Sequence, residues 1–115
     1  MPKTCDLSDK HCAPCNGEGS AYSADSTREM MNQLDSDWQL SEIGDYIERE
    51  FRFKGFAKAV YFTNLMCWLA DQEGHHPDIS MGWGYCRVRF TTHELGGLSE
   101  NDFICAAKVD ALVSN

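Results

Sequence analysis

A change in the spacing of apolar residues near Phe56 constrains the fold more than any other feature of this chain. From Phe56 to Ala70 apolar side chains recur every three or four residues, which is the period of one helix face. Further apolar residues between them widen this face, so we expect a helix of sixteen to nineteen residues that is buried on most sides. The helix should end near Gly74, because Pro77 cannot continue it.

Three other segments alternate apolar and polar residues, as half-buried β-strands do. Residues 38–43 and 47–53 lie on either side of a Gly-Asp turn signal at positions 44–45, and together they predict a β-hairpin. Residues 83–93 alternate in the same way and predict one long strand, which ends at the glycines in positions 96 and 97.

Two capping patterns predict helices near the ends of the chain. Residues 26–29 read Ser-Thr-Arg-Glu and predict a helix over about 27–35, while Ser-Glu-Asn-Asp at 99–102 predicts one over about 100–113. The resulting order of elements predicts an α+β fold, a two-layer sandwich in which an antiparallel β-sheet carries helices packed on one face. We expect residues 1–25 to form an irregular N-terminal arm and residues 26–115 to form the folded domain.

The charge of the chain argues against nucleic acid as a partner. Eighteen acidic residues against ten basic ones give a formal net charge of −8, and such a surface repels phosphate backbones. No apolar run approaches the roughly 20 residues needed to cross a bilayer, so no membrane partner is expected.

The six cysteines bear on compartment and on metal binding. Three of them lie inside apolar patterns, where a free cysteine behaves as a small hydrophobe: Cys67, Cys86 and Cys105. This favours a reducing, cytoplasmic location. Near the N-terminus, Cys5, His11, Cys12 and Cys15 could instead supply four zinc ligands, although only one Cys-x-x-Cys is present. A redox dithiol and a surface-draped arm are the other interpretations of this segment.

Three of the four histidines, His75, His76 and His93, fall within nineteen residues. Histidine exchanges protons near neutral pH, so the cluster suggests proton-transfer chemistry or a metal site. Neighbouring residues in extended chain point to opposite sides, which makes it difficult for His75 and His76 to bind one ion. Alternatively, both could cap the preceding helix, because cationic side chains favour a helix C-terminus.

Three motifs stand out together: Asp-Gln-Glu-Gly-His-His-Pro-Asp at 71–78, Thr-Thr-His at 91–93 and Gly-Gly-Leu-Ser-Glu-Asn-Asp at 96–102. At this spacing, and over about residues 27–113, they resemble the pterin-4a-carbinolamine dehydratases. It implies dehydration of 4a-hydroxytetrahydropterin to quinonoid dihydropterin, which recycles tetrahydropterin for an aromatic amino acid hydroxylase. This chemistry needs an acid at the leaving oxygen and a base near N5, and it requires no metal or redox cofactor.

The resemblance also implies roles for individual residues. His75 and His93 resemble the general acids of the family, and His76 resembles a catalytic residue that positions substrate. The remaining site residues would bind substrate: Asp71, Pro77, Thr92, Glu94, Leu95 and Asp102. Asp71 stands where relatives usually carry Glu, and Ile79 replaces an aromatic residue of the animal members. The family implies a homodimer or homotetramer.

Two other functions compete with this one. The chain could be a non-catalytic dimerisation or scaffold protein for a regulator, since animal relatives of this fold also act as dimerisation cofactors, or a small zinc-binding protein. Asp102 could serve only as the third residue of the capping box of the last helix.

Overall fold

The computed structural model describes residues 7–13 and 21–114. Within them, three α-helices and four β-strands follow one another: α1 (Ala24–Met31), β1 (Gln39–Leu40), β2 (Ile47–Arg52), α2 (Phe56–Glu73), β3 (Asp78–Gly82), β4 (Tyr85–Phe90) and α3 (Glu100–Val113). Single 3₁₀ turns, Leu7–Asp9 and His93–Leu95, precede α1 and α3.

The four strands form one antiparallel sheet in the order β1-β2-β4-β3. Alternation along β4 directs Cys86, Val88 and Phe90 into the core, where α2 and α3 cover that face of the sheet. On the other face, Arg87 and Arg89 pair with glutamates of β2. The predicted α+β sandwich, with an antiparallel sheet and helices on one face, is therefore confirmed.

The prediction of one strand over 83–93 is wrong in its extent. Residues 78–82 form a separate strand, β3, which pairs with β4 through a two-residue connection, Trp83-Gly84. Gly84 takes a φ of +82°, a backbone conformation that glycine adopts without a Cβ penalty. Beyond Phe90 the chain leaves the sheet, so His93 belongs to a 3₁₀ turn instead of a strand.

The long helix α2 has the predicted length and ends at Gly74, whose left-handed conformation closes it. The expectation that it is buried on most sides is wrong for the single chain. Its inner face buries Ala59, Met66, Leu69 and Ala70, whereas Phe56, Tyr61 and Trp68 are more than half exposed. Tyr61 and Trp68 are seven residues apart and share one outer face.

Two other boundaries differ from the predicted ones. Helix α1 begins at Ala24, three residues earlier than expected, because Ser23 caps it through the Ser26 backbone N–H. Strand β1 is only two residues long and pairs with β2 as the predicted hairpin does.

The capping box at the start of α3 is confirmed, with Ser99 at the N-cap and Asp102 at the third helical position.

Residues 7–13 lie against α3 and the end of α2. Lys108 donates to the Ser8 carbonyl at 2.8 Å, and the Asn101 side chain exchanges two hydrogen bonds with the backbone of Ala13. The Cys12 N–H donates to the Glu73 carboxylate at 2.8 Å. The expected irregular arm over 1–25 is described only in part, and its remaining residues lie outside the described ranges.

Candidate active site

A buried histidine–carboxylate pair lies where α2 ends and α3 begins. The left-handed Gly74 turns the chain out of α2, and the His75 N–H still reaches the Ala70 carbonyl at 3.3 Å. This turn directs the His75 ring inward, where its Nε2 lies 2.6 Å from Oδ1 of Asp102. His75 is 5% exposed and Asp102 is fully buried. The ring also stacks on Phe90, with 6.0 Å between the centroids.

Asp102 accepts every hydrogen bond that the structure assigns to its side chain. Oδ2 accepts from the Thr92 hydroxyl at 2.7 Å and from the Ser99 N–H at 2.9 Å, while Oδ1 faces His75. The tautomer of His75 that carries its hydrogen on Nε2 donates to this carboxylate. The Thr92 hydroxyl in turn lies 2.7 Å from the Ser99 hydroxyl. Asp102 therefore both caps α3 and fixes the orientation of the His75 ring.

His76 points away from this buried group, as expected for neighbouring residues. Its Nε2 lies 3.0 Å from Oδ1 of Asp71 on the last turn of α2. Both side chains are more than half exposed. The partly buried Pro77 follows and leads into β3.

His93 lies on the surface, in the 3₁₀ turn that joins β4 to α3. Thr92, the residue before it, forms an isolated β-bridge with Gly97, and this bridge fixes the base of the turn. Gly96, with a φ of +68°, reverses the chain after the exposed Glu94 and the partly buried Leu95. An open cleft of about 290 Å³ runs from the turn onto the polar face of the sheet. Its lining comprises Asp45, Tyr46, Asp78, Arg89, Thr91, His93 and Gly96.

Arg89 supplies the positive charge on the sheet side of the cleft. Its guanidinium lies 3.8 Å from the centre of the Tyr46 ring and donates to Glu48 at 2.9 Å. The hydrogen bond to Glu48 raises the pKa of Arg89 further above its already high value. The cleft therefore combines a permanent cation, an aromatic ring and carboxylates beside a histidine.

The structure brings some of the predicted site residues into direct contact. Hydrogen bonds join His75 and Thr92 to Asp102, and His76 to Asp71. His93, Glu94 and Leu95 follow Thr92 along the chain, whereas Pro77 follows His76. The predicted capping role of Asp102 is observed, and its side chain also contacts His75.

Sequence reasoning missed Ser99 and the residues of the cleft beside His93. Ser99 was recognised only as a helix cap, although its hydroxyl also contacts Thr92. Arg89 could have been found from the alternation, because it shares the polar face of β4 with Arg87. Asp45 and Tyr46 carry no such signal, since they lie in the loop before β2.

The described residues contain no group of three or more histidine, cysteine, aspartate or glutamate side chains arranged to hold a metal ion. Within the proposed N-terminal zinc ligands, His11 contacts Glu73 at 3.0 Å and the Cys12 sulfur contacts Cys105 at 3.4 Å. Cys5 and Cys15 lie outside the described residues.

Across the ranges 7–13 and 21–114, no helix has the length and apolar character that a bilayer span requires.

The fold and the site define a class of small α+β domains that hold a buried histidine–carboxylate pair between two helices, with further histidines at the surface beside it. Comparison with known proteins identifies the family. The family model for pterin 4 alpha carbinolamine dehydratase matches residues 20–112. The chain therefore belongs to the pterin-4-alpha-carbinolamine dehydratase family.

Individual relatives agree with this assignment. A protein of Legionella pneumophila (strain Corby) with the provisional name pterin-4-alpha-carbinolamine dehydratase is 46% identical over 110 residues, which cover 96% of this chain and 97% of the relative. A protein of Nitrosomonas eutropha with the same provisional name is 45% identical over 113 residues, covering 98% of each chain.

Two solved structures resemble the fold. A transcriptional coactivator/pterin dehydratase from Brucella melitensis aligns with a TM-score of 0.74 and 28% identity, covering 81% of this chain and 98% of that one. A pterin dehydratase-like protein identified as a RuBisCO assembly factor in the alpha-carboxysome aligns with a TM-score of 0.57 and 25% identity, covering 69% of this chain and 92% of that one.

Proposed function

We propose that this chain dehydrates 4a-hydroxytetrahydropterin to quinonoid dihydropterin and water. The single observation that carries the proposal is the buried pair of His75 and Asp102, which holds one imidazole in a fixed orientation. The exposed His76 follows His75 in the chain, and the exposed His93 follows Thr92, which donates to Asp102. Membership of the family supports the same substrate class.

The reaction removes hydroxide from C4a and a proton from N5, so that a C4a–N5 double bond forms. A protonated imidazole gives its proton to the leaving hydroxyl, which departs as water, while a neutral group takes the N5 proton. Each such positioned group contributes roughly 10²–10⁴-fold to the rate. Both transfers occur between side chains and substrate, so histidines alone are sufficient for the chemistry.

We assign the two proton transfers to His75 and His93. Asp102 holds the His75 ring by accepting from Nε2, as a carboxylate orients the histidine of a catalytic triad. His93 is exposed beside the cleft and can meet a ligand directly. His76, braced by Asp71, positions the substrate from the end of α2.

The other substrate-binding residues flank these histidines. Pro77 and Leu95 are partly buried and offer apolar contact to a flat ring, and Glu94 is exposed on the turn. The Thr92 hydroxyl is engaged by Asp102 and Ser99, and its main-chain N–H and carbonyl are engaged by Gly97. Thr92 therefore lines the site by van der Waals contact and fixes the turn that carries His93.

The proposal is tested by a coupled hydroxylase assay that follows loss of the 4a-hydroxy intermediate. Replacing both His75 and His93 by alanine is expected to remove nearly all acceleration, with each single variant losing roughly 10²-fold or more. His11→Ala is the matched control, since His11 is exposed and no site role is assigned to it. Circular dichroism checks that each variant is folded. Full activity in the double variant would refute the assignment.

The proposal extends to partners and location. An aromatic amino acid hydroxylase that releases the 4a-hydroxy intermediate is the pathway partner, and the pterin is the ligand. We expect a homodimer or homotetramer, because the outer face of α2 exposes Tyr61 and Trp68 and β3 is an edge strand. The free cysteines among the described residues support a reducing, cytoplasmic setting.

A non-catalytic scaffold role is the second candidate, and the same exposed aromatic face favours it. One structural neighbour, a pterin dehydratase-like protein, is identified as a RuBisCO assembly factor. Two measurements distinguish the candidates. A scaffold would show no dehydratase activity in the parent protein, and it would retain its interactions after both histidines are replaced.

A further inference from the structure

We propose that Cys12 and Cys105 form a site of oxidative modification, at which a peroxide converts the two thiols into a disulfide that joins residues 7–13 to α3. The proposal concerns a part of the chain that the dehydratase chemistry does not use, so it stands independently of the proposed function.

The two sulfur atoms are already in contact. They lie 3.4 Å apart, although 93 positions separate the residues along the chain. A disulfide bond is about 2.05 Å long, so the sulfurs need to approach by only about 1.4 Å.

Hydrogen bonds around the sulfur–sulfur contact hold Cys12 in position next to Cys105. The Cys12 N–H donates to Glu73, and the following residue, Ala13, exchanges two hydrogen bonds with the side chain of Asn101. Asn101 lies one turn before Cys105 on α3. The segment carrying Cys12 is therefore fixed to the same helix that carries its partner.

The two thiols differ in their access to solvent. Cys12 is partly exposed, whereas Cys105 is fully buried. Contact with Cys12 and burial raise the pKa of the Cys105 thiol, so Cys105 stays protonated and a dissolved oxidant meets Cys12 first. This difference is typical of a pair in which one cysteine reacts and the other resolves the product.

The reaction balances with hydrogen peroxide as the only co-reactant. The Cys12 thiolate attacks one peroxide oxygen, so that an S–O bond forms and the O–O bond breaks. The departing hydroxide takes one proton, equivalent to the one that the Cys12 thiol lost on ionising, and leaves as water. Cys105 then attacks the sulfur of the Cys12 sulfenic acid. The S–S bond forms, the S–O bond breaks, and the hydroxide takes the Cys105 proton and leaves as a second water. Two thiols are oxidised and one peroxide is reduced.

The other described cysteines lack this arrangement. Cys86 is buried and accepts a hydrogen bond from the Thr63 hydroxyl at 3.3 Å. Cys67 is exposed on α2. Sequence spacing suggests that Cys12 pairs with Cys15 in the Cys-x-x-Cys, but Cys15 lies outside the described residues and the Cys12 sulfur faces α3.

The test is to treat the full-length reduced protein with a small excess of hydrogen peroxide and to digest it with trypsin without reduction. Trypsin places Cys12 in the peptide 11–28 and Cys105 in the peptide 90–108. We expect the two peptides to be recovered joined, with two hydrogens less than the sum of their masses. Oxidation should also raise the melting temperature by about 5 °C or more, because the cross-link closes a long loop, and dithiothreitol should reverse the rise.

Three single variants show which cysteines take part. Cys15→Ser and the control Cys67→Ser should still give the joined peptides, whereas Cys12→Ser should not. Recovery of an internal Cys12–Cys15 bond as the main product, or of joined peptides from Cys12→Ser, would overturn the proposal. If Cys12→Ser fails to fold, the Cys15→Ser digest decides alone, since Cys12 is then the only cysteine in its peptide.

Discussion

His75 and His76 are neighbours in the sequence, and each has a carboxylate partner, yet their surroundings differ in almost every respect. His75 is enclosed and lies 2.6 Å from a fully buried Asp102, which also accepts from Thr92 and Ser99. His76 lies 3.0 Å from Asp71, and solvent reaches both side chains. The first contact belongs to a network within the core, and the second belongs to the surface.

The distance between a histidine and a carboxylate therefore says little about how much their contact contributes to stability. Water competes with an exposed ion pair, which typically contributes less than about 1 kcal/mol. Removing one partner of a buried pair instead leaves an unsatisfied group in the core and costs about 3–5 kcal/mol. Two pairs that look alike in a list of contacts are therefore expected to respond very differently to substitution.

Replacing Asp102 by alanine is the largest test of this comparison. The substitution removes the acceptor of the Thr92 hydroxyl and of the Ser99 N–H, and it removes the carboxylate that contacts the His75 ring. We therefore expect the free energy of unfolding to fall by about 3 kcal/mol or more. Urea denaturation followed by circular dichroism measures the change. Asp102→Asn, which keeps an acceptor oxygen, should lose less. A loss below about 1 kcal/mol in the alanine variant would contradict the special weight given to the buried pair.

Glu73 offers an intermediate case at the same end of α2. Its side chain is nearly buried and accepts from the Cys12 N–H and His11, with Lys108 at 3.7 Å. Burial alone would raise the pKa of Glu73, but these donors and Lys108 outweigh it and hold the pKa below its ordinary value of 4.5.

The sign of the resulting pH dependence follows from that lowered pKa. The stabilisation from Glu73 is complete above the unfolded pKa of 4.5 and disappears as the pH falls through the lower folded value. We expect Glu73→Gln to lose about 1–2 kcal/mol at pH 7 and to approach the parent protein as the pH falls from 4.5 through the lowered folded pKa. Urea titrations at several pH values measure this convergence. A constant difference between the two proteins across that range would contradict it.

Asp71→Asn is the smallest test and the direct counterpart of the Asp102 variants. Because water reaches both members of the pair with His76, the free energy of unfolding should change by less than about 0.5 kcal/mol. The same urea titration measures it. A loss comparable to that of the Asp102 variants would erase the distinction between the two histidines.

The local parts of the fold were predictable because their signals are local. The period of apolar residues placed α2 to within a turn, and Gly74 marked its end. The capping pattern at Ser99 and Asp102 gave the start of α3. The His-His-Pro sequence and the resemblance together predict the histidines as site residues, and the alternation of β4 predicts its buried face.

The rest depended on contacts between distant residues or on weak signals. Strand β3 is short and follows Pro77 directly, and Trp83-Gly84 was included in the strand although Gly84 permits a tight turn. No pattern in the sequence distinguishes the buried His75 from the exposed His76, because the periodicity ends at Gly74. The contact between Cys12 and Cys105 joins segments that no local rule relates.

Because Asp102 both caps α3 and orients the His75 ring, the stability of the first turn of α3 is coupled to the alignment of that ring. A fluctuation that uncoils the first turn of α3 releases the Ser99 amide and, in the same movement, lets the His75 imidazole rotate. The deuterium exchange rate of the Ser99 amide therefore reports how often the His75 ring loses its alignment, and it can be measured without any substrate.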